Sequence, residues 1–208
     1  MAMHIHDCEQ GSAEWFRVRA GIPTASEFAT VMASGRGSAE SKTRRTYMLK
    51  LAGEIITGEA AESYSNAHME RGKIMEDEAR NFYAFTSAVE PERVGFIQNG
   101  PRGCSPDSLI GASGMLEIKT ALPHILIDRI LKDDAPPEHK AQCQGNLWIA
   151  EREWIDLAIY WPRLPRFVKR LYRDEEYIQK IADAVETFNA ELDGIVAQVR
   201  AYGFAEAA

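Results

Sequence analysis

The chain has 208 residues, 45% of them hydrophobic and 26% charged, a composition that argues against a disordered, collagen-like or membrane-spanning protein. Its 24 basic and 31 acidic residues give a net charge of −7, which by itself argues against binding to nucleic acid. The acidic residues are unevenly distributed, because residues 174–208 hold eight of them with only two basic residues, so the preceding chain carries a net charge of only −1.

The cysteines and the N-terminus indicate the compartment. Cys8, Cys104 and Cys143 are far apart and form no CxxC pair, which argues against a disulfide framework and a four-cysteine metal site. The first 25 residues lack the apolar core of a signal peptide. We therefore expect a cytoplasmic protein with reduced thiols. It should fold as a single domain over residues 1–208, with an acidic helical segment at 174–208.

The first half of the chain predicts helices. Thr24 and Glu27 have the spacing of a capping box, which predicts the start of a short helix. Apolar residues recur at helical spacing over 41–56 and again over 66–86, which predicts two longer helices. Glu76 falls on the apolar stripe of the second of these. Because a carboxylate on a packed face needs a partner, a cation or a raised pKa, Glu76 is a candidate functional residue.

Short β-rich segments follow from residue 94 onward. Strands are predicted at 94–98, 109–111 and 115–120, with residues 112–114 as the turn of a hairpin. Beyond them we expect helices at 124–132, 138–151 and 174–200, and a strand at 154–161. This order of elements predicts an α/β fold with α+β-like order, in which helices flank a small mixed β-sheet.

The hairpin carries the residues with the clearest chemistry. Glu117 and Lys119 are two apart on a strand and therefore face the same side, and the turn brings Asp107 beside them. Two carboxylates with a backbone carbonyl suit Mg²⁺ or Mn²⁺, and no histidine or cysteine cluster in the sequence offers a site for a softer metal. Glu117 and Lys119 alone are also consistent with a surface ion pair, so Asp107 is what favours a functional site.

Four motifs follow one another between about residues 12 and 160. They are residues 19–27 (RAGIPTASE), Gly72-Lys73 with Glu76 and Ala79-Arg80, residues 105–107 (SPD) with 116–119 (LEIK), and residues 141–144 (AQCQ) with Leu147-Trp148. Together they resemble the phage lambda exonuclease and YqaJ-type viral recombinase family of the PD-(D/E)xK nuclease superfamily. One departure is Ser108, at a position where that family commonly has glycine.

The resemblance implies a restriction-endonuclease-like core and a Mg²⁺-dependent 5′-to-3′ exonuclease, with Mn²⁺ able to substitute. Such an enzyme degrades one strand of linear double-stranded DNA from a 5′-phosphorylated end, releases 5′-mononucleotides and leaves 3′ single-stranded DNA for recombination. The resemblance also implies a ring-shaped homotrimer and a single-strand annealing protein as partner. It places the protein in the cytoplasm of a bacterial cell, with a prophage as one source of the gene.

The resemblance also assigns the catalytic and metal-binding residues. Asp107 and Glu117 correspond to the metal carboxylates, and Ile118 supplies its backbone carbonyl. Lys119 corresponds to the residue that positions or deprotonates the attacking water, and Glu76 to an additional acidic residue of the catalytic and metal site. Two adjacent carboxylates are expected to raise the pKa of Lys119.

A second set of residues resembles the part of the family site that binds the end of the DNA. The 5′-phosphate-binding positions correspond to Arg19, Ser26, Ser105 and Gln142, and Met69 corresponds to an apolar wedge at the DNA end. The sequence leaves other roles open: Arg19 as a surface charge, Gln142 as a solvated helix residue and Met69 as a core methionine.

Two other functions remain open at this stage. One is a PD-(D/E)xK endonuclease or repair nuclease that acts on another DNA structure. The other is a catalytically silent DNA-binding module on the same fold, which the presence of Asp107, Glu117 and Lys119 disfavours. Contacts to the DNA backbone are expected from two basic segments, at residues 36–50 and 163–173.

Overall fold

A computed structural model describes residues 2–35, 41–61 and 67–202, with the backbone alone for 67–73. Within these ranges the helices are α1 (Ala13–Arg19), α2 (Phe28–Val31), α3 (Lys42–Thr57), α4 (Ala67–Ser87), α5 (Pro123–Lys132), α6 (Lys140–Ile149) and α7 (Glu175–Arg200). The strands are β1 (His4–His6), β2 (Phe96–Gln98), β3 (Gly103–Cys104), β4 (Ser108–Ile110), β5 (Gly114–Thr120), β6 (Trp154–Tyr160) and β7 (Phe167–Tyr172). Short 3-10 turns lie at Ala25–Glu27 and Pro137–His139.

The sheet that carries the candidate site has the strand order β4-β5-β6-β7. β4 and β5 form the predicted hairpin, in which Ser108 lies opposite Leu116. β5 and β6 run parallel, and their connection passes through α5 and α6, as a parallel pair requires. β1, β2 and β3 form a second, antiparallel sheet. The described chain therefore has the small mixed sheet and flanking helices that the sequence predicts.

Helices cover both faces of the central strands. Met115 of β5 and Leu157 of β6 belong to the main core, together with apolar residues of α6 and α7. Leu116 and Ile118 of β5 face a smaller cluster that includes Tyr83 of α4. Since the interior of β6 is buried on both faces, its residues do not alternate between core and solvent.

Close packing of α6 places its side chains over β5. Gly145 lets α6 pack closely on α2, because a Cβ atom at that position would lie 2.5 Å from Cδ2 of Phe28 in α2. Gln142 and Asn146 lie one helical turn apart on α6, and both reach Glu117 of β5. The position of α6 thus determines which side chains surround the candidate site.

The acidic C-terminal segment forms the long helix that the sequence predicts. The apolar residues of α7 are buried at helical spacing: Ile178, Ile181, Val185, Phe188, Leu192 and Val196. On its outer side, Glu191 pairs with Arg44 of α3 at 2.6 Å. The acidic helix is therefore an integral part of the core.

The cysteines are free thiols, as expected, and Cys104 and Cys143 are buried. Burial raises the pKa of the Cys143 thiol to about 12, so it stays protonated at neutral pH. No described helix is both long and apolar enough to cross a membrane.

Several elements differ from the sequence-based expectation. Thr24 precedes a 3-10 turn but does not cap it, and its Oγ1 instead contacts Arg19 and Ser26. Strands β1, β3 and β7 were not predicted, because β1 and β3 span only three and two residues and β7 is interrupted by charged side chains. The predicted helix at 138–151 begins with a 3-10 turn before α6.

The basic segment at 163–173 includes β7, which divides Lys169 and Arg170 between opposite faces. Its side chains alternate across β7. Arg170 pairs with Asp156 at 2.8 Å on one face, and Lys169 pairs with Asp133 at 2.6 Å on the other. The segment therefore presents less unpaired positive charge than its sequence indicates.

The first basic segment is also divided. Arg36 lies outside the described residues, and Arg44 is used by its ion pair with Glu191. Lys42 and Arg45 are exposed on α3. Of the described residues in this segment, these two are the clearest candidates for contact with a DNA backbone.

We expect Gly145→Ala to destabilise the protein, because the added methyl group would press on the ring of Phe28. The free energy of unfolding should fall by about 1–3 kcal/mol, the usual effect of overpacking a core. Gly194→Ala on α7 is the matched control, since nothing lies within 4 Å of its added Cβ. Alanine favours a helix interior by about 1 kcal/mol over glycine, so this control should be stabilised. Urea unfolding followed by circular dichroism measures both, and equal effects would contradict the packing argument.

Candidate active site

The β4–β5 hairpin brings the three residues of the sequence motif together. Asp107 immediately precedes β4, and its Oδ2 accepts a hydrogen bond from the backbone N–H of Ile118 at 2.5 Å. On β5, Nζ of Lys119 lies 2.8 Å from Oε1 of Glu117, so these two side chains share a face as expected. Local strand pairing is therefore sufficient to assemble Asp107, Glu117 and Lys119.

The backbone carbonyl of Ile118 faces the same side as Asp107. In an extended strand the N–H and C=O of one residue point towards the same neighbour, and the N–H of Ile118 points to Asp107. The pairing between β4 and β5 ends at Ser108 opposite Leu116, so β4 does not pair with Ile118. A third oxygen donor is thereby directed towards the two carboxylates.

Glu117 is a buried carboxylate with a complete set of partners. It is only 2% exposed, which excludes the alternative of a surface ion pair with Lys119. Its Oε1 accepts a hydrogen bond from Nε2 of Gln142 at 2.6 Å, and its Oε2 accepts one from Nδ2 of Asn146 at 3.0 Å. The sequence motifs did not single out Asn146, whose amide is 1% exposed and follows Gln142 by one helical turn.

Glu76 extends the acidic cluster from α4. Its carboxylate is one-third exposed and is paired with Arg80 one turn later on the same helix. Arg80 is 6% exposed and also donates to Oγ of Ser108 at 3.0 Å and to the backbone carbonyl of Asp107 at 3.3 Å. Arg80 therefore ties α4 to the start of β4, a role that its place in the sequence motif did not reveal.

The electrostatics of the site reflect an excess of carboxylates. Burial, reinforced by the charges of Glu117 and Glu76, raises the pKa of Asp107 well above its ordinary value. Burial opposes the charge of Lys119, but Glu117 and Asp107 outweigh it and the pKa of Lys119 is raised. The expectation for Lys119 is thus confirmed: beside these carboxylates it holds its proton.

The donor atoms fit a hard divalent cation. Carboxylate and carbonyl oxygens are the ligands that Mg²⁺ takes, and a cation would relieve the repulsion that raises the pKa of Asp107. Among the described residues, no three acidic, histidine or cysteine side chains are grouped closely enough to enclose an ion. Two carboxylates, one carbonyl and water suit Mg²⁺, which usually keeps several waters.

A second group of polar side chains surrounds the guanidinium of Arg19. Its carbon lies 3.8 Å from the centre of the Trp15 ring, and its Nη1 donates to Oγ of Ser105 at 3.0 Å. Nε1 of Trp15 donates to the same Ser105 oxygen at 3.0 Å. Since that oxygen accepts two hydrogen bonds, the Ser105 hydroxyl still has its own proton to donate.

The same group includes two further hydroxyls. Nη2 of Arg19 donates to Oγ1 of Thr24 at 3.4 Å, and Oγ1 of Thr24 lies 3.2 Å from Oγ of Ser26. The structure therefore joins Arg19, Ser26 and Ser105 as the sequence predicted. It adds Trp15 and Thr24, which the sequence analysis did not assign to the site.

Arg19 is a partly buried cation without a carboxylate partner among the described side chains. Burial lowers the pKa of its guanidinium, although the group remains charged at any physiological pH. The ion pairs of the described residues do not include Arg19, whereas its neighbour Arg17 pairs with Glu14 at 2.5 Å. A desolvated guanidinium flanked by hydroxyls is suited to bind an anion.

One cavity of about 1080 Å³ connects the Arg19 group to the acidic cluster. Arg19 and Thr24 line one part of its wall, and Glu76, Arg80 and Asp107 line another. Ser105 and Asp107 are two residues apart, so their Cα atoms are separated by at most about 7 Å. A cationic pocket and an acidic cluster thus lie a short distance apart in the same cavity.

No described hydrogen bond joins Gln142 to the Arg19 group. The hydrogen bond described for Gln142 goes to Glu117, so the structure places this side chain at the acidic cluster. The side chain of Met69 lies outside the described part of the structure.

Two solved exonuclease structures are similar to this chain over nearly its whole length. The structure is similar to that of an alkaline exonuclease (LHK-Exo) from Laribacter hongkongensis, with 32% sequence identity, a TM-score of 0.84, and coverage of 94% of this chain and 100% of that chain. A second structure, LHK-Exo in complex with dAMP, matches with 32% identity and a TM-score of 0.83 over 95% of this chain and 100% of that chain. No curated protein matched the chain.

A more distant match concerns the fold alone. It is a phage related exonuclease from Haemophilus somnus 129PT, with 14% identity, a TM-score of 0.64, and coverage of 86% of this chain and 96% of that chain.

The family model of the YqaJ-like viral recombinase domain matches residues 14–153. This segment contains every motif on which the sequence resemblance was based. The chain belongs to the YqaJ-like viral recombinase domain family.

Proposed function

We propose that the protein is a Mg²⁺-dependent 5′-to-3′ exonuclease that acts on linear double-stranded DNA from 5′-phosphorylated ends. Its family and its similarity to an alkaline exonuclease over nearly the whole chain indicate a DNA exonuclease, as the sequence predicted. The finer assignment depends on one observation. The Arg19 guanidinium, which has no ion pair among the described residues, and the Asp107 carboxylate line a single cavity, separated by little more than the Ser105–Asp107 segment.

In this proposal Asp107, Glu117 and the carbonyl of Ile118 hold the metal ion, and Glu76 adds negative charge beside it. When bound, Mg²⁺, or Mn²⁺ in its place, stabilises charge on the phosphoryl oxygens and lowers the pKa of water. Gln142 and Asn146 fix the orientation of the Glu117 carboxylate through its two oxygens. Arg80 fixes Glu76 and the Asp107 backbone in the same way.

Lys119 is proposed to orient or deprotonate the attacking water. Its ammonium lies 2.8 Å from Glu117 on the face of β5 that carries the acidic cluster. While the carboxylates are uncompensated, they keep the Lys119 pKa high and favour its protonated form. Its capacity as a base therefore depends on neutralisation of these carboxylates, whereas its capacity to donate hydrogen bonds does not.

The Arg19 pocket is proposed to bind the terminal 5′-phosphate. The guanidinium and the Ser105 hydroxyl supply donors for phosphate oxygens, with Thr24 and Ser26 beside them. Because the pocket lies so close to Asp107, the cleaved bond would be the first one after the terminal phosphate. The product would then be a 5′-mononucleotide, which agrees with the dAMP complex of LHK-Exo. Loss of one strand would leave 3′ single-stranded DNA for recombination.

The proposal also covers the DNA-contacting surface, the oligomeric state, the partner protein and the cellular location. Exposed Lys42 and Arg45 on α3 are suited to contact the DNA backbone without reading sequence. Following the family resemblance, we include a ring-shaped homotrimer around the DNA and a single-strand annealing protein as recombination partner. The cytoplasm of a bacterial cell, including one that carries a prophage, is the proposed location. The proposal also includes a single domain over residues 1–208.

The direct test compares linear duplexes with 5′-phosphate or 5′-hydroxyl ends and a covalently closed circle, each incubated with the protein and Mg²⁺. We expect rapid loss of the 5′-phosphorylated strand, slower attack on the 5′-hydroxyl end and no attack on the circle. Denaturing gels of duplexes labelled on either strand measure direction and product size. Cleavage of the circle at a comparable rate would instead support an endonuclease, and no metal-dependent cleavage would support a silent DNA-binding module.

We expect Arg19→Gln to abolish most of the preference for 5′-phosphorylated ends, because the variant loses its charged phosphate donor. A charge-assisted hydrogen bond contributes roughly 1.5–3 kcal/mol, so the apparent KM for these ends should rise about 10- to 100-fold. The 5′-hydroxyl substrate should be much less affected. Arg17→Gln is the matched control, since Arg17 lies on the same helix but pairs only with exposed Glu14. Equal effects of both substitutions would argue against a phosphate pocket at Arg19.

We expect Lys119→Met to lower kcat about 10²- to 10⁴-fold, the usual contribution of a positioned acid or base. Binding of Mn²⁺, followed by calorimetry, should persist, because the carboxylates remain. Lys132→Met is the control, since Lys132 lies on the exposed surface of α5 and pairs with Asp128 at 2.7 Å. Turnover of Lys119→Met close to that of the unmodified protein would remove Lys119 from the mechanism.

We expect Asp107→Asn to be inactive but more stable than the unmodified protein in the absence of metal. The raised pKa of Asp107 means that its ionised form disfavours the folded state, so this penalty grows as the pH rises above the ordinary carboxyl value of about 4. The asparagine oxygen still accepts the hydrogen bond from Ile118. At pH 8 with EDTA the melting temperature should rise by about 2–4 °C for each kcal/mol of relieved penalty.

The difference between the two proteins should shrink as the pH is lowered towards 4, where Asp107 is protonated in the unmodified protein as well. Thermal unfolding across this range measures the effect. A lower melting temperature for Asp107→Asn at pH 8 would show that the carboxylate is stabilised in the fold, contrary to this account.

A further inference from the structure

Two side chains of α3 fasten the loop that follows Arg19. Glu54 is 8% exposed, and its Oε2 accepts a hydrogen bond from the backbone N–H of Gly21 at 2.8 Å. Its Oε1 accepts one from the N–H of Ala61 at 3.1 Å. Two turns earlier on α3, the hydroxyl of Tyr47 accepts a hydrogen bond from the N–H of Thr24 at 3.2 Å. The proposed mechanism uses neither Glu54 nor Tyr47.

The contact at Gly21 controls the direction in which the chain leaves Arg19. Gly21 has a φ of +73°, which disfavours other residues, and a Cβ atom there would lie 2.5 Å from Cγ1 of Ile55. The N–H of Ile22 donates to the carbonyl of Arg19 at 3.1 Å and closes the turn. The backbone around Arg19 is therefore held against α3 by packing and by the Glu54 hydrogen bond together.

Thr24 connects α3 to the side chains of the proposed phosphate pocket. While its N–H is held by Tyr47, its Oγ1 accepts a hydrogen bond from Nη2 of Arg19 and contacts Oγ of Ser26. The guanidinium is thus set between the ring of Trp15 and the Thr24 hydroxyl. Its contact with Thr24 therefore depends on the position of residues 19–24 relative to α3.

Glu54 itself is not placed to bind a ligand or metal. Both of its oxygens are occupied by backbone N–H groups, and the nearest described cation, Nζ of Lys50, is 4.0 Å away. A buried carboxylate is costly unless it is fully hydrogen-bonded, as Glu54 is. We infer that Glu54 is a positioning residue of the 5′-phosphate pocket, supported by Tyr47, and that it acts by holding the Arg19–Thr24 backbone on α3.

This inference rests on the proposed function, and Glu54→Gln tests it. A glutamine side chain has one carbonyl oxygen, so either Gly21 or Ala61 would face an NH₂ group and lose its acceptor. The lost acceptor loosens the backbone around Arg19, and we expect the KM for 5′-phosphorylated ends to rise roughly tenfold. The kcat at saturation and the rate on 5′-hydroxyl ends should change by less than about twofold.

Two further variants make the test specific. Tyr47→Phe removes the acceptor for Thr24 but keeps the ring that packs 5.6 Å from Phe188, so it should raise the same KM by about two- to fivefold. Glu59→Gln is the matched control, because Glu59 is an exposed carboxylate just beyond the end of α3, and it should leave the KM unchanged. Circular dichroism establishes folding, and if Glu54→Gln does not fold, Tyr47→Phe decides the question.

The outcomes separate this inference from the proposed function. If the unmodified protein does not distinguish 5′-phosphate from 5′-hydroxyl ends, the proposed function fails. If it does distinguish them and the folded variants keep both the preference and the KM, the positioning role of Glu54 is wrong. A loss of kcat that is equal on both kinds of end would also overturn it, because a general structural defect does not discriminate between ends.

Discussion

The rest of the site depends on one constraint, the burial of the Glu117 carboxylate within the central sheet. A charge that is 2% exposed requires partners on every open side, and β5 alone supplies only Lys119. The remaining donors come from α6, which must therefore lie directly over β5. Gly145 also lets α6 pack closely against Phe28 of α2. The packing of α6 therefore also determines the hydrogen-bond partners of Glu117.

The cavity keeps opposite charges close without pairing them directly. Arg19 is held by the ring of Trp15 and by hydroxyl groups. The carboxylate of Asp107 accepts a hydrogen bond from a backbone N–H, and its backbone carbonyl accepts one from Arg80. A direct ion pair between the two would neutralise both and leave neither available to a ligand. Their separation instead leaves a cationic pocket for an anion and an acidic cluster for a cation in one continuous space.

Much of the fold followed from local pattern. Helical periodicity predicted α3 and α4, and the β4–β5 hairpin placed Asp107, Glu117 and Lys119 together, because strand alternation and a short turn are local properties. Pattern was a poor guide to β7, whose charged side chains obscured the strand. Strand alternation sends Lys169 and Arg170 to opposite faces, where each meets an acidic residue.

The amino-acid pattern alone was sufficient for the longer helices and the β4–β5 hairpin, since each is carried by residues near one another in the chain. Four spaced motifs were sufficient for the family. Long-range packing determined the surroundings of those residues. The side-chain hydrogen bonds from Asn146 to Glu117, from Trp15 to Ser105 and from Arg80 to Ser108 join positions that are 29, 90 and 28 residues apart. No periodicity links such positions, because their contacts depend on where whole elements pack. A buried polar atom requires a hydrogen-bond partner, but the sequence does not show which helix or strand supplies it.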